Sequence, residues 1–306
     1  MSSGFKCKQF FVGHAQCAMK VGTDGLLLGA WASLPTCVSS ANHTAITVAN
    51  TMLDIGTGSG LISLMLAQRA PDATIHAIEL DPAAAAQASC NFLQSPFSKR
   101  LKLLKGDILT YQPAERYALI VSNPPFFDNA LLSKDGQRNQ ARHTASLPMP
   151  LLLAKAAALL AAGGSFALVL PDSSAEAFCR MAYEQGWYLR VNCVVYSRTS
   201  KAPLRRLMQW QREPCCPQQQ QLVIHDRKGG YTEQYRTLLR EFYLSDNYPL
   251  KKRQWPSAAT KAARLFQSGF DLPKDLAARQ FVRIGFHHPA PDHKKNRHRQ
   301  LMLLTQ

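Results

Sequence analysis

A glycine-rich segment spans residues 53–60, where the sequence is LDIGTGSG. Glycines let the backbone adopt positive φ and pass close to a ligand, and Asp54 could orient the loop or meet a positively charged amine through ordered water. The spacing is G-x-G-x-G, so Leu61 stands where the dinucleotide fingerprint has its third glycine. The segment therefore disfavours a nicotinamide cofactor and, because Asp54 would repel a pyrophosphate, favours S-adenosylmethionine, whose aminocarboxypropyl group carries an amine and a carboxylate.

Two acidic segments follow the glycine loop where strands are expected to end. Residues 78–81 are Ile-Glu-Leu-Asp, and Glu79 with Leu80 stands at the position where an acid binds the two hydroxyls of a ribose. In the segment at 106–108, the Asp107 carboxylate could accept from an adenine amino group while Ile108 packs on the ring. Taken alone, a loop glycine is more often a simple turn, and an acid at a strand end is more often a solvated surface group, than part of a ligand site. Their order at successive strand ends predicts a cofactor that contains a nucleoside.

The sequence SNPPFF occupies residues 122–127. A double proline after a strand has a purely structural interpretation as rigid strand termination. Beside a glycine loop it also fits the methylation of a planar amino nitrogen, whose lone pair is delocalised. The side-chain oxygen of Asn123 and the main-chain oxygen of Pro124 can each accept one amino hydrogen, and the two prolines, Pro124 and Pro125, keep these acceptors preorganised. Phe126 could stack on a target base, which would have to flip out of a structured nucleic acid.

Alternating strand and helix patterns position these motifs. Predicted strands cover residues 46–55, 74–80, 101–104, 117–122, 165–170 and 187–196, and predicted helices cover residues 61–69, 83–93, 150–162, 173–185 and 233–244. This alternation predicts an α/β fold with a doubly wound, mostly parallel sheet, whose ligand site lies at the carboxyl ends of the strands. Strand-like pieces at 207–211 and 221–224 predict an antiparallel hairpin at the sheet edge. Thr23 or Asp24 is expected to cap a short apolar helix.

The chain is strongly basic, with a formal net charge of +16 over 306 residues and a pI of about 9.7. Such a charge suggests a polyanionic partner. Residues 251–306 contain 12 Lys and Arg against three acids and so carry +9 of this charge. We predict three parts: an N-terminal segment at 1–50, a catalytic domain at 51–250, and a basic extension at 251–306 for which partial disorder is one expectation.

The composition disfavours several other classes of protein. The longest apolar run, residues 151–162, is interrupted by Lys155 and is shorter than the roughly 20 residues that a membrane span needs. The first residues have no apolar stretch typical of a signal peptide. The eight cysteines form no C-x-x-C pair and have no histidine at zinc-finger spacing, which favours reduced thiols. We expect a cytoplasmic protein without a membrane or metal partner, and we assume a monomer.

Taken together, these motifs resemble the class I S-adenosylmethionine-dependent methyltransferases that act on amino nitrogens. The sequences KQFFV at residues 8–12, CAMKVGTDG at 17–25 and GAW at 29–31 look more specifically like bacterial tRNA adenine N6-methyltransferases, which modify tRNA1(Val) at adenine 37, beside the anticodon. The resemblance covers residues 5–245 and implies a seven-stranded Rossmann-like sheet and methylation of that tRNA adenine. Two segments depart from the family pattern, a longer loop at 35–50 and the extension after residue 250.

The resemblance also implies which residues form the site. Catalytic residues would be Asn123, Pro124, Pro125 and Phe126, and cofactor contacts would come from Lys20, Thr23, Asp24, Asp54, Gly56, Thr57, Gly58, Gly60, Glu79, Leu80, Asp107, Ile108 and Asn123. Residues 1–50 would then form a lid over cofactor and substrate. RNA phosphates could be contacted by Arg138, Arg142, His143, Lys251, Lys252 and Arg253, although a solvated loop and an unordered basic tail explain these residues as well. The alternatives are a DNA adenine or protein glutamine methyltransferase, and a non-catalytic RNA-binding protein.

Overall fold

The computed structural model describes residues 4–17, 20–35, 50–125 and 147–244. At the N-terminus, β1 (Gly4–Lys6) and β2 (Phe11–Gly13) pair as an antiparallel hairpin. Helix α1 (Thr23–Trp31) follows, and its residues 25–30 are all buried. The N-cap of α1 is Gly22, which has no side chain to accept a hydrogen bond, so the prediction that Thr23 or Asp24 caps this helix is wrong.

Eight strands form the central sheet. In chain order they are β3 (Thr51–Ile55), β4 (Thr74–Glu79), β5 (Leu101–Lys105), β6 (Tyr117–Ser122), β7 (Leu160–Pro171), β8 (Tyr188–Tyr196), β9 (Pro203–Gln211) and β10 (Gln218–Val223). Their order across the sheet is β5-β4-β3-β6-β7-β9-β8-β10, and of these eight only β9 runs antiparallel to its neighbours. The direction of winding reverses between β3 and β6, so ligands are expected at the carboxyl ends of these two strands.

Helices cover both faces of this sheet. They are α2 (Leu61–Arg69), α3 (Pro82–Leu93), α4 (Met149–Leu159), α5 (Asp172–Glu184) and α6 (Glu233–Leu239), with a short 3-10 turn at Ser98–Arg100. One apolar cluster joins α1, α2, α3 and α6 to one face, and a second joins α4 and α5 to the other. Because both faces are covered, the central strands are largely apolar, and all six residues of β6 are buried. The predicted doubly wound, mostly parallel fold is confirmed.

The edge of the sheet differs from the prediction in its strand pairing. An antiparallel hairpin lies near this edge, but β8 and β9 form it. The two pieces predicted to pair, 207–211 and 221–224, do not: the first belongs to β9, and the second overlaps the end of β10, which runs parallel to β8. Residues 212–217 connect the end of β9 to β10 across the beginning of β8. Strand β10 therefore pairs with the other side of β8 and forms the eighth strand of the described sheet. Sequence patterns mark a strand but not its long-range partner.

Several element boundaries also differ. Helix α4 ends at Leu159 rather than at residue 162, because β7 begins at Leu160 and pairs there with Tyr117. The pairing of β7 with β6 is irregular up to Ser165, and Gly163 in this stretch has a φ of 69°. Helix α6 ends at Leu239 rather than at residue 244. Of the strand predicted at 46–55, the structure shows residues 51–55, and residues 46–49 lie outside the described residues.

The part of the chain that the structure describes has no helix long and apolar enough to cross a membrane, and no group of three His, Cys, Asp or Glu side chains arranged to hold a metal ion. The seven cysteines of this part are free thiols. Burial raises the pKa of Cys7 to about 12 and that of Cys17 to about 11. Both thiols are therefore protonated at neutral pH, and the reactive thiolate form is disfavoured at these positions.

Candidate active site

The glycine loop leaves β3 at the carboxyl edge of the sheet and turns into α2. Gly56, Gly58 and Gly60 have φ values of 71°, 57° and 81°, which side chains rarely adopt. The Gly56 N–H donates to the carbonyl oxygen of Ile78 at 2.9 Å and holds the loop against β4. A Cβ at Gly56 or Gly58 would meet nothing within 4 Å, whereas one at Gly60 would lie 2.4 Å from the Phe92 ring. The first two glycines thus leave room for a ligand, and Gly60 lets α3 pack on the loop.

Asp54, near the end of β3, is fully buried and organises the loop. Its Oδ2 accepts hydrogen bonds from the Thr57 hydroxyl at 2.6 Å and from the hydroxyl and N–H of Ser63 at 2.7 and 3.1 Å. Its Oδ1 is buried without a hydrogen-bond partner among the described residues. Burial raises the pKa of Asp54 to about 6 against the opposing effect of these hydrogen bonds. A ligand amine, or a water bound to it, would supply the missing partner of Oδ1.

Glu79 ends β4 directly beside the glycine loop. Its two carboxylate oxygens accept hydrogen bonds from the N–H groups of Gly58 at 2.8 Å and Asp81 at 2.9 Å. These bonds orient the carboxylate, and each oxygen keeps a lone pair for a further donor such as a ribose hydroxyl. The next residue, Leu80, is 54% exposed and offers an apolar surface at the same edge.

The segment containing Asp107 leaves β5, the neighbour of β4. The Gly106 N–H donates to the Glu79 carbonyl oxygen at 2.9 Å, which joins the ends of the two strands. Oδ1 of Asp107 accepts from the Leu109 N–H at 2.9 Å, so its carboxylate is held at the start of a turn. Ile108 is only 6% exposed and packs in the second apolar cluster, where it supports this turn. Asp54, Glu79 and Asp107 therefore lie at or near the ends of three adjacent strands.

Asn123 follows β6, on the other side of β3. Ser122 stands opposite Ile55 in the β3–β6 pairing, and its hydroxyl donates to the Ile55 carbonyl oxygen at 3.0 Å. Oδ1 of Asn123 is buried and has no hydrogen-bond partner in the described chain. Pro124 is buried and Pro125 is exposed, and neither has a backbone N–H. The structure thus presents an unused amide oxygen next to the glycine loop, which is the requirement for accepting an amino hydrogen.

Asp24, in the first turn of α1, is paired with an arginine. The Arg205 Nε donates to its Oδ2 at 2.8 Å, and the two side chains are 27% and 25% exposed. This pair joins α1 to the beginning of β9 and could not be anticipated from sequence, because the partners are 181 residues apart. Lys20 and Thr23 are exposed near the same end of α1. The expected cofactor contacts of Lys20, Thr23 and Asp24 stay predictions.

Asn91, in the alanine-rich helix α3, is a second residue that sequence reasoning missed. Its Oδ1 accepts from the Gly13 N–H at 2.9 Å, and its Nδ2 donates to the carbonyl oxygens of Gly13 and Ser59, both at 2.8 Å. These bonds connect the N-terminal hairpin with the glycine loop. The available signal was a polar residue on the buried face of a helix, where an amide is expected to have partners.

The described site residues gather at one edge of the sheet. They are Asp54, Gly56, Thr57, Gly58, Gly60, Glu79, Leu80, Asp107, Ile108, Asn123, Pro124 and Pro125. Other predicted residues lie outside the described residues: Phe126 of the catalytic loop and the RNA contacts Arg138, Arg142, His143, Lys251, Lys252 and Arg253.

This sheet order, with a glycine loop after β3 and an Asn-Pro-Pro segment after β6, defines a class I methyltransferase fold. A solved structure of a predicted O-methyltransferase from Agrobacterium tumefaciens has the same fold, with a TM-score of 0.52 at 17% identity over 72% of this chain and 96% of that chain. The family model for the methyltransferase small domain matches residues 40–178.

Three other proteins are much more similar to this chain in sequence than that solved structure is. The tRNA1(Val) (adenine(37)-N6)-methyltransferases of Cronobacter sakazakii and Serratia proteamaculans are each 45% identical over 245 residues, which are 79% of this chain and 95% and 90% of those proteins. The Aliivibrio fischeri enzyme of the same name is 41% identical over 80% of this chain and 99% of its own length. The chain belongs to the tRNA1(Val) (adenine(37)-N6)-methyltransferase family, which confirms the resemblance noted from the motifs.

Proposed function

We propose that this protein transfers a methyl group from S-adenosylmethionine to N6 of adenine 37 in tRNA1(Val), in the cytoplasm. The family to which the chain belongs supports this substrate. The structural observation that carries the proposal is Oδ1 of Asn123, a buried acceptor without a described partner beside the glycine loop. The exocyclic amine of adenine brings hydrogens that such an acceptor can bind.

The residues around the glycine loop fit S-adenosylmethionine. Open space at Gly56 and Gly58 admits a ligand close to the backbone. Oδ1 of Asp54 lacks a described partner and suits the cofactor amine, directly or through water. The oriented carboxylate of Glu79 suits the ribose hydroxyls, and that of Asp107 suits the adenine amino group. When bound, the cofactor supplies an electrophilic methyl group on a sulfonium.

Asn123 and Pro124 prepare the nitrogen that is methylated. Asn123 Oδ1 and the Pro124 carbonyl oxygen each accept one hydrogen of the adenine amine, which favours a tetrahedral nitrogen with its lone pair withdrawn from the ring. Because the two prolines restrict the loop, both acceptors are in place before the substrate arrives. No strong base is required, since a methylated ammonium nitrogen attached to a purine loses its proton readily.

The target adenine has to leave its stacked position to reach this loop. An aromatic side chain contributes about 1–3 kcal/mol when a base stacks on it. Phe126, next to Pro125 in the chain, is the side chain that we assign to this role.

Nucleoside mass spectrometry tests the proposed function. The purified protein is incubated with labelled S-adenosylmethionine and one of three substrates: unmodified tRNA1(Val), the same tRNA with guanosine at position 37, or a DNA duplex. We expect labelled N6-methyladenosine in the first substrate alone. Label in both tRNAs would show that an adenine other than adenine 37 is methylated. Label in the DNA would favour a DNA adenine methyltransferase. Label in none of the three would favour a protein amide substrate or a non-catalytic RNA-binding role.

A further inference from the structure

We propose that two basic loops at the carboxyl edge of the sheet bind phosphates of the tRNA backbone. The loops are residues 197–202, between β8 and β9, and residues 224–231, between β10 and α6, and we call them the basic loop pair. Both follow the carboxyl end of a strand that runs parallel to β3 and β6, so they lie at the same edge as the glycine loop and Asn123. This inference rests on the proposed function, because it assigns part of the surface that docks the tRNA.

Hydrogen bonds join the two loops to each other. The His225 N–H donates to the Ser197 carbonyl oxygen at 3.0 Å, and in the second loop the Asp226 N–H donates to the Gly230 carbonyl oxygen at 2.8 Å. The His225 ring stacks on Tyr231, with the ring centroids 5.0 Å apart. The loop pair is therefore held in shape before any ligand binds, which lowers the entropy cost of binding.

A cleft of about 550 Å³ lies between the loops and is lined by Arg198, Thr199, Ser200, Asp226 and Arg227. Guanidinium and hydroxyl groups are among the donors that proteins use to bind phosphate oxygens. The lining contains no aromatic or large aliphatic side chain on which a base could stack. The cleft thus suits the phosphate backbone rather than a nucleobase.

Four basic side chains of the loop pair are exposed: Arg198, Lys201, Arg227 and Lys228. None of the four forms an ion pair with a carboxylate of the described chain, whereas the two arginines at the start of β9 are both paired, one with Asp24 and the other with Asp172. The positive charge of the loop pair is therefore available to an external anion.

Asp226 is the carboxylate in this cleft, and its position serves the second loop. Its Oδ1 accepts hydrogen bonds from the N–H groups of Lys228 and Gly230, both at 2.9 Å. These bonds shape the turn that carries Arg227 and Lys228. Four cations against one carboxylate leave a positive surface of the kind that binds nucleic-acid phosphates.

The basic loop pair lies at a distance from the methyl-transfer site that allows it to contact another part of the same RNA. Three strand spacings of about 4.8 Å separate β6 from β8, and four separate β6 from β10, which places the loop pair about 14–19 Å from the end of β6. At the roughly 3.4 Å of axial rise per nucleotide that one strand of duplex DNA has, this distance corresponds to about four to six stacked nucleotides. Phosphates in the stem next to the anticodon loop are therefore within reach when adenine 37 is at Asn123.

A charge-reversal variant tests the inference. We compare Arg198→Glu/Arg227→Glu in the full-length protein with the control Lys99→Glu/Arg116→Glu, whose exposed residues precede β5 and β6 and so lie at the opposite edge of the sheet. We expect affinity for unmodified tRNA1(Val) to fall at least tenfold in the first variant and to change little in the control. The slope of log affinity against log salt should flatten by about 0.7–0.9 for each phosphate that the variant no longer binds. Turnover at saturating tRNA and affinity for S-adenosylmethionine should stay close to wild type.

The neutral variant Arg198→Gln/Arg227→Gln is a control for misfolding of the charge-reversed protein. It should show a smaller loss of tRNA affinity with an unchanged thermal unfolding midpoint. If wild-type protein methylates tRNA and both loop variants bind it as tightly as the control, the basic loop pair does not dock the RNA. Failure of the wild-type protein to methylate any tRNA would instead refute the proposed function, on which this assignment depends.

Discussion

Asn123 and Asp54 each place a buried side-chain oxygen without a described partner at the carboxyl edge of the sheet. Leaving such an acceptor unpaired costs about 1–3 kcal/mol. The other buried side-chain atoms of the described chain in this state belong to Gln68, Trp187, Asn192 and Trp210, and none of these residues lies in the glycine loop or in the segment that directly follows β6. The site therefore retains two acceptors without a described partner, which a cofactor amine and a substrate amine can satisfy.

Removing the Asn123 amide should impair methyl transfer without preventing binding. We expect Asn123→Ala to lower single-turnover methylation by about 10²–10³-fold, the usual effect of losing one preorganised polar group at a reacting centre. Dissociation constants for S-adenosylmethionine and tRNA should stay close to wild type.

Asn192→Ala is the matched control for this variant. Asn192 is a buried asparagine of β8 whose Oδ1 also lacks a described partner and whose Nδ2 donates to Gln219. We expect it to lose about 1 kcal/mol of stability and to keep wild-type turnover. Unchanged turnover in Asn123→Ala, measured at saturating substrates, would refute the assigned role of this residue.

The buried carboxylate of Asp54 should make cofactor affinity depend on pH. Its pKa is raised by burial to about 6, so the group becomes protonated as pH falls below that value. A protonated Asp54 no longer attracts a cationic amine, and we therefore expect affinity for S-adenosylmethionine to fall between pH 7 and 5. Calorimetric titration of wild type and Asp54→Asn over this range checks the prediction, since the variant should show a smaller pH dependence.

The stability of the ligand-free protein should have the opposite pH dependence. Because the pKa of Asp54 in the folded state, about 6, lies above its ordinary value of 3.8, the folded state binds this proton more tightly than the unfolded state. The contribution to stability is present below pH 3.8 and is lost as pH rises through about 6. Urea unfolding should show this loss in wild type but not in Asp54→Asn, and a parallel profile for the two proteins would contradict it.

The site forms where the ends of β3, β4, β5 and β6 meet the beginning of α2. The N-terminal hairpin is attached to this region through Asn91, and α1 is attached to β9 through Asp24 and Arg205. A partly exposed ion pair of this kind contributes only about 0–1 kcal/mol to stability. Its effect is therefore to orient α1 rather than to hold the fold together.

Among the three glycines of the loop, Gly60 should be the one whose replacement by alanine disturbs packing most. Gly60→Ala places a Cβ 2.4 Å from the Phe92 ring in a residue with a φ of 81°. The control Gly163→Ala has a φ of 69° but meets nothing within 4 Å. We expect a loss of about 1–2 kcal/mol for the control, from backbone strain, and a further 1–3 kcal/mol, roughly, for Gly60→Ala from overpacking. Equal losses in urea unfolding would show that α3 moves away at no cost.

Positive charge is unevenly distributed along the chain. The named relatives match about 245 residues of this chain, and the last 56 residues carry 12 Lys and Arg against three acids. Binding of phosphates by basic side chains contributes affinity that carries no sequence information. The extension is therefore expected to strengthen RNA binding without choosing the RNA.

Neutralising Lys251, Lys252 and Arg253 to Gln should weaken the binding of tRNA1(Val) and of an unrelated RNA of equal length by the same factor. The salt dependence of both affinities should become shallower, because fewer counterions are released. Filter binding over a range of salt concentrations measures both quantities. A loss confined to tRNA1(Val) would show that these residues contribute to specificity.

Local sequence determined the glycine loop, the acidic strand ends, the Asn-Pro-Pro segment and the alternation of strands and helices. Turn chemistry and hydrophobic periodicity act over a few residues, so they can be interpreted without knowing the fold. The same patterns placed Asp54, Glu79, Asp107 and Asn123 at one edge, because parallel strands bring their carboxyl ends together.

Long-range packing fixes which strands pair at the edge formed by β8 and β10, which residue pairs with Asp24, and which side-chain oxygens lack a partner in the described chain. The pairing of Asp24 with Arg205 spans 181 residues, and the bond between Asn91 and Gly13 spans 78. The basic loop pair likewise depends on β10 lying beside β8, which no local pattern indicates. Such long-range pairings depend on the energy of the whole packed chain, so they are determined only when the chain has folded.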